Sequence, residues 1–340
     1  MTPAYSASWM DRFFDWVRRL PVPAWLFYLG LWLLLGLLIS LVAWMEGSEA
    51  VGVLPLVAMD GAMYIIYYLA LMHYLDGVAS RALDSFQPLL QNSEVDFTHL
   101  HYELTTLPTR GTLLAGAIGI LATIISLPFT PSTLEMADII RRPSTQLSFL
   151  AGNAILAIFI YHTIRQLSIV TRIHNTATRV NLFHREPIYA FSRLTARTGI
   201  GWILGLTMGL VPRIGPFLSS ERLALLWVPL LPLAALVFIL PLVSVHALIV
   251  REKGRLQAEV NQRLERLISR LHKQMDNDDF ANIDELKTWL DSLLVEQEAV
   301  ARIPTWPWKP GTLAGFTSAL LVPVAIWFFQ QLLAPMIRGR

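Results

Sequence analysis

The sequence predicts an all-α, polytopic membrane protein. It has seven transmembrane helices, an N-terminus inside, a C-terminus outside and a cytoplasmic helical layer. Three observations predict this. Of 340 residues, 54% are hydrophobic and 15% charged, against roughly 45–50% and about 25% in soluble domains. The apolar residues gather in runs close to the ~20 that a helix needs to cross hydrocarbon. The basic residues fall mainly on one set of connections. This composition excludes an ordinary cytosolic enzyme and a disordered chain. The absence of cysteine excludes thiol catalysis, thiolate metal sites and a disulfide scaffold.

Residues 1–22 come first. Trp9, Met10, Phe13, Phe14, Val17 and Leu20 recur at helical spacing, with Arg12, Asp15, Arg18 and Arg19 between them. This is an amphipathic helix, lying either in the cytoplasmic interface or against the protein itself. The bundle over 23–249 supplies six spans, at 23–45, 52–74, 111–129, 146–165, 198–217 and 224–249, and a seventh follows at 311–334. The first run exceeds a signal-peptide core and ends in Ala43-Trp44-Met45-Glu46, so it reads as a retained helix. With the N-terminus inside, the inner segments hold 21 Lys and Arg and the outer segments 6, in line with the positive-inside bias.

The inner connections are the long ones. The extensions at 75–110 and 165–197 include Leu167, Val170, Ile173, Ala177 and Val180, which prolong the fourth span, and Pro187, which restarts a helix. Residues 250–302 read as a helical hairpin. One arm has Leu256, Val260, Leu264, Leu267 and Leu271; the other has Ile283, Leu286, Leu290 and Leu293. Residues 251–275 carry a net charge of +4, residues 276–300, which begin with the turn at Asp276-Asn277-Asp278-Asp279, carry −7, and the 165–197 loop carries +5. Opposite signs predict that the acidic arm packs on the basic arm, the basic loop or both. Residues 303–310 form a Trp/Pro elbow. Its prolines stop helices, and Trp306 and Trp308 suit the water–lipid boundary.

Polar groups within the spans are the candidate site. Asp60 lies about nine residues, ~13 Å, into the second span. An ionisable group at that depth is a functional candidate by default. Asn153 lies at similar depth, and Arg213 stands between Pro212 and Pro216 at the outer end of the fifth span. Tyr64, Tyr67 and Tyr68 share a helical face with Asp60. In the seventh span, Thr317, Ser318 and Gln331 are polar, and Val324 and Phe328 are apolar. If that helix lines a pore, the apolar middle gates by dewetting. Prolines at 229, 232, 241 and 323 mark places where a span bends. His73, His162 and His246 all fall near cytoplasmic span ends, where convergence on a metal or haem is geometrically open. Their spacing does not require it, and the sequence calls for no metal and no cofactor.

No Walker loop, GxGxxG, HExxH or GxSxG occurs, and no catalytic set is placed by a motif, so the chain reads as a non-enzyme. The basic loops lack the aromatic interleaving of nucleic-acid binders. The expected partners are the lipid bilayer and further copies of the chain through the cytoplasmic layer. The expected location is a bacterial inner membrane.

The stretches Asn181-Leu182-Phe183, Pro187-Ile188-Tyr189-Ala190-Phe191-Ser192-Arg193-Leu194 and Ile303-Pro304-Thr305-Trp306-Pro307-Trp308 resemble segments of uncharacterised bacterial multi-span membrane proteins, a likeness that implies no activity. The overall plan resembles insect odorant and gustatory receptors. The shared features are seven spans, opposed termini, short outer loops and a last span that follows a cytoplasmic helical layer. That resemblance implies a tetrameric ligand-gated cation channel with the last helix lining a central pore. The gustatory Thr-Tyr…Gln-Phe signature stands here as Thr317-Ser318 and Gln330-Gln331. The leading expectation is therefore a homo-oligomeric ion channel. A secondary transporter with a midplane site around Asp60, and a non-transporting scaffold or signalling protein, are the alternatives.

Overall fold

A computed structural model describes residues 5–47, 50–53, 56–90, 96–126, 142–176, 182–183, 186–210, 220–277, 283–308 and 310–338. Among them lie ten helices: α1 (Trp9–Arg18), α2 (Ala24–Met45), α3 (Leu56–Leu90), α4 (Phe97–Thr105), α5 (Thr109–Ser126), α6 (Pro143–Thr176), α7 (Glu186–Leu210), α8 (Ser220–Asp276), α9 (Ile283–Ala301) and α10 (Pro310–Arg338). The described residues contain no strand, only an isolated bridge between Ala7 and Pro108.

Local chemistry fixes several ends. Ser8 and Asp11 form a reciprocal capping box at the start of α1. The apolar face of α1 closes on the protein itself: Met10, Phe14 and Val17 are buried, while Trp9 and Trp16 remain exposed. Asp96 caps α4 by accepting from the amides of Thr98 and His99. In α2, uncharged along its 22 residues, only Tyr28, Gly36, Ser40 and Ala43 are buried. Leu33, Leu34, Leu37 and Leu38 face outward, as on a helix solvated by lipid.

Four helices are long and apolar enough to cross a membrane: Ala24–Met45, Thr109–Ser126, Pro143–Ile173 and Ala234–Asp276. In α10 the apolar stretch Gly311–Ile326 is shorter. The first half of α7 carries Arg193 and Arg197. Length and hydropathy thus return four spans among the described residues, where apolar runs in the sequence suggest seven.

Helix α3 is the hub and packs against α2, α4, α6 and α7. Its buried side chains include Tyr68, Met72, Leu75 and Phe86. Small residues permit the close approaches. A Cβ on Gly119 of α5 would lie 2.4 Å from the Asn153 carbonyl oxygen and 2.8 Å from the Ala157 Cβ, both on α6. On α7, a Cβ on Gly205 would lie 2.5 Å from the Tyr68 hydroxyl. Both contacts are van der Waals packing of the kind that joins helices in lipid.

The sixth apolar run and the first hairpin arm form one helix. At 57 residues and 1.5 Å per residue, α8 is about 85 Å long, far beyond ~30 Å of hydrocarbon. It remains helical through Pro229, Pro232 and Pro241. Helices α3 and α6, at 35 and 34 residues, also exceed a single crossing. Their excess lies at one end of the bundle, where Phe86 of α3 meets Phe191 of α7 with ring centroids 5.3 Å apart.

At that end α9 packs on the distal half of α8. Val260, Leu264, Leu267 and Val300 are buried there. Among the described residues one ion pair joins the two arms, Arg263–Glu296 at 3.7 Å. Arg255 turns instead to Glu252 and Glu259 of its own helix. The arms leave an open cleft of about 470 Å³ between Arg270, Lys273, Gln274, Leu286 and Trp289.

Candidate functional site

Chain order makes residues 303–308 the link between the hairpin and the last helix, and their side chains tie the two together. The indole of Trp306 stacks on His246 of α8 at 4.2 Å and on Trp308 at 4.6 Å. Trp308 lies 5.7 Å from Phe238, which contacts Phe316 of α10 at 4.2 Å. The Nδ1 of His246 bonds to the Thr305 carbonyl at 2.9 Å. The Nζ of Lys253 donates to the carbonyls of Ala301 and Ile303 at 2.7 and 2.8 Å, closing the C-terminal end of α9 with a cation. Five rings from His246 to Phe316 thus run from α8 through the elbow, back to Phe238 of α8, and on to α10.

Among the described residues, helix α10 packs on α7. Phe316 and Ala319 are buried, and Phe316 fits against Gly199 of α7, where a Cβ would approach to 2.6 Å. Thr317, Leu321, Val324 and Phe328, spaced 4, 3 and 4, form an exposed stripe, and Ser318 is exposed beside it. The side chain of Gln331 lies outside the described residues.

The other nominated residues are described only in part. Asp60 lies within α3, with its side chain outside the described set, and Arg213 falls wholly outside it. Tyr67 donates to the Gly201 carbonyl at 2.7 Å, and Tyr68 to the Tyr64 hydroxyl at 3.3 Å. These tyrosines join α3 to α7. Asn153 lies at the α5–α6 contact through its backbone carbonyl. The three histidines take separate partners. His73 stacks on Phe14 at 5.2 Å and bonds to the Tyr28 hydroxyl. His246 serves the elbow, and His162 bonds to Asp76. No group of three or more His, Asp or Glu placed to hold a metal occurs among the described residues.

The Asp76–His162 pair is what a search for polar residues at mid-span misses. Asp76 lies just past the second apolar run, where a carboxylate reads as solvated. In the fold, Nε2 of His162 lies 2.8 Å from Oδ1 of Asp76, with both side chains only 3% exposed. The amide nitrogen of Gln166, one helical turn on, donates to the same oxygen at 3.4 Å and to the Leu104 carbonyl of α4 at 3.5 Å. His162 Nδ1, Thr163 Oγ1 and Gln166 Oε1 are buried without a partner among the described residues. The spacing of 162 and 166 on one helical face was the available signal; Asp76 as their partner was not.

A second buried carboxylate lies nearby. Asp11 accepts from the Leu107 amide at 3.1 Å and from the Ser8 amide at 2.9 Å. This joins α1 to the turn after α4. Burial pushes its carboxyl above the usual range, opposed by the Ser8 and Leu107 donors. Tyr5 donates to the Thr106 carbonyl at 2.9 Å and accepts from Arg165 at 2.6 Å. Burial pushes its phenol up to about 12 against the lowering effect of Arg165.

These features define an all-helical protein whose apolar helices are suited to a membrane. No protein-family model, curated protein or solved structure matches the chain.

Proposed function

We propose that this chain is the subunit of a homo-oligomeric ion channel in a bacterial inner membrane. Helix α10 lines the pore. The α8–α9 hairpin, with the long ends of α3 and α6, forms a cytoplasmic layer that holds the subunits together. One observation carries the reading: the last helix is tied to the hairpin by the ring stack through Trp306 and Trp308, while its own chain leaves the Thr317–Leu321–Val324–Phe328 stripe uncovered. A movement of the hairpin is thereby passed to the helix that bounds the pore. Thr317 and Ser318 provide hydroxyls at one end of that helix. Val324 and Phe328 narrow it with apolar groups that exclude water when the helices close. The excess of Lys and Arg on the segments joined to the hairpin supports an inner-side position for that layer.

The test is reconstitution. Purified protein in liposomes passes ions, and Phe328→Ser raises the resting conductance by keeping the apolar constriction wet. Silence of both proteins across voltage, tension and added ligands sinks the reading. Saturable uptake by a monomer would replace it with a transporter.

A further inference from the structure

We infer that Asp76, His162 and Gln166 form a proton-binding site that locks α3, α6 and α4 together when it is occupied. The site is a carboxylate–imidazole contact of 2.8 Å sealed at 3% exposure. Beside it are three buried polar atoms with no partner among the described residues: His162 Nδ1, Thr163 Oγ1 and Gln166 Oε1. Such atoms in native structures are met by ordered water.

The charge balance decides which state holds the helices. With His162 neutral, its Nε2–H donates to an ionised Asp76, and the cluster carries one net negative charge in a dry site. A single proton from solvent, taken up by His162, turns the contact into imidazolium and carboxylate with no net charge. Burying a net charge costs several kcal/mol, and a hydrogen-bonded neutral pair avoids most of that. Proton uptake therefore tightens the tie. Proton loss leaves a lone buried carboxylate, and relief comes from letting water in between α3, α4 and α6.

The surrounding ionisable groups are few. α1 brings Asp11, α2 brings Tyr28 and α3 itself brings His73, each within electrostatic reach of Asp76. α4 brings Glu103, which pairs with Arg172, and His101, bonded to Ser80. α6 brings Arg165, held by Tyr5. α7 brings the exposed Arg193 and Arg197, the latter over the Tyr74 ring at 5.6 Å. α8 brings His246, engaged at the elbow.

The inference does not depend on ion conduction, and its test does not measure it. The chain has no cysteine, so His99→Cys on α4 and Ser168→Cys on α6, both at exposed positions, accept a unique pair of spin labels. Histidine-labelled protein in nanodiscs gives the titration by NMR, with the His162 signal identified by its loss in His162→Gln. Across a pH series, the expected result is a single step shared by the His162 signal and the spin-label distance distribution, which narrows as pH falls. Asp76→Asn removes the buried charge while keeping an acceptor, so the narrowing is lost. If that variant does not fold, His162→Gln supplies the same loss. A His162 that stays silent, a distance distribution that ignores its titration, or a pH response surviving in the substituted protein overturns the inference.

Discussion

Replacing Gly119 by alanine tests the packing that positions the polar site. The added methyl carbon would lie 2.4 Å from the Asn153 carbonyl oxygen, 2.8 Å from the Ala157 Cβ and 2.9 Å from the Ala154 Cα. Two of these neighbours are backbone atoms of α6, which no rotamer change can move. The helices must part by about 1 Å before ordinary contact returns. Overpacking of this kind costs about 1–3 kcal/mol, a fall of several degrees in melting temperature for a chain of this size. Gly111→Ala is the matched control. The three atoms nearest its new methyl all belong to the outer end of the Tyr161 side chain, the hydroxyl at 2.2 Å, and that side chain can swing aside. Gly254→Ala meets nothing within 4 Å in the middle of α8, so it gains about 0.5–1 kcal/mol through helix propensity. Tryptophan-fluorescence melts of the three purified variants in one detergent should rank Gly254→Ala highest, then Gly111→Ala, then Gly119→Ala. If the last melts with the second, the α5–α6 backbone contact is not where the fold places it.

Three further outcomes follow from the same geometry. Trp306→Ala removes two stacked pairs worth about 0.5–1.5 kcal/mol each. It should free the end of α9, so that trypsin cuts at the exposed Arg302 faster than in the parent; an unchanged rate counts against the ring stack as a coupling. Because burial raises the Asp11 carboxyl above its ordinary 3.8, folding favours its protonated form. The contribution is complete below that ordinary value and is lost as pH rises through the raised one. Hydrogen exchange at the Leu107 amide should quicken over that window, and Asp11→Asn should flatten the dependence. In the hairpin, Leu264→Ala should loosen α8 from α9 by more than Glu296→Gln, because the Arg263–Glu296 pair is about half exposed on both sides and such pairs contribute only about 0.2–1 kcal/mol. Raising the salt to about 1 M, where charges are screened within ~3 Å, should leave protease sensitivity of the hairpin little changed.

Periodicity made the helices legible. Leu264 and Leu267 on one arm and the stripe on α9 predict a hairpin, and α8 and α9 pack as one. The segregated charges are equally visible, yet they suggest a layer held by ion pairs. The described contacts are mainly apolar, because Arg255 finds Glu252 and Glu259 one turn away at no cost in long-range order. The sixth span and the hairpin, read as separate units at 224–249 and 250–302, share one helix for a related reason. Composition changes where lipid gives way to water, but helical hydrogen bonding is local and crosses that boundary undisturbed. The elbow was readable as Trp and Pro, though not as a stack on His246. That contact joins residues 60 positions apart and leaves no local pattern.

The amino-acid sequence by itself determined that this protein is helical and apolar enough for a membrane, since both follow from short-range spacing and from transfer of side chains out of water. Only the tertiary structure decided which polar residues meet. Asp76 and His162 lie 86 positions apart, and their partnership depends on α3 and α6 packing side by side. In a low-dielectric interior a charge is stabilised by whatever lies within a few ångströms, and that neighbour is chosen by the fold.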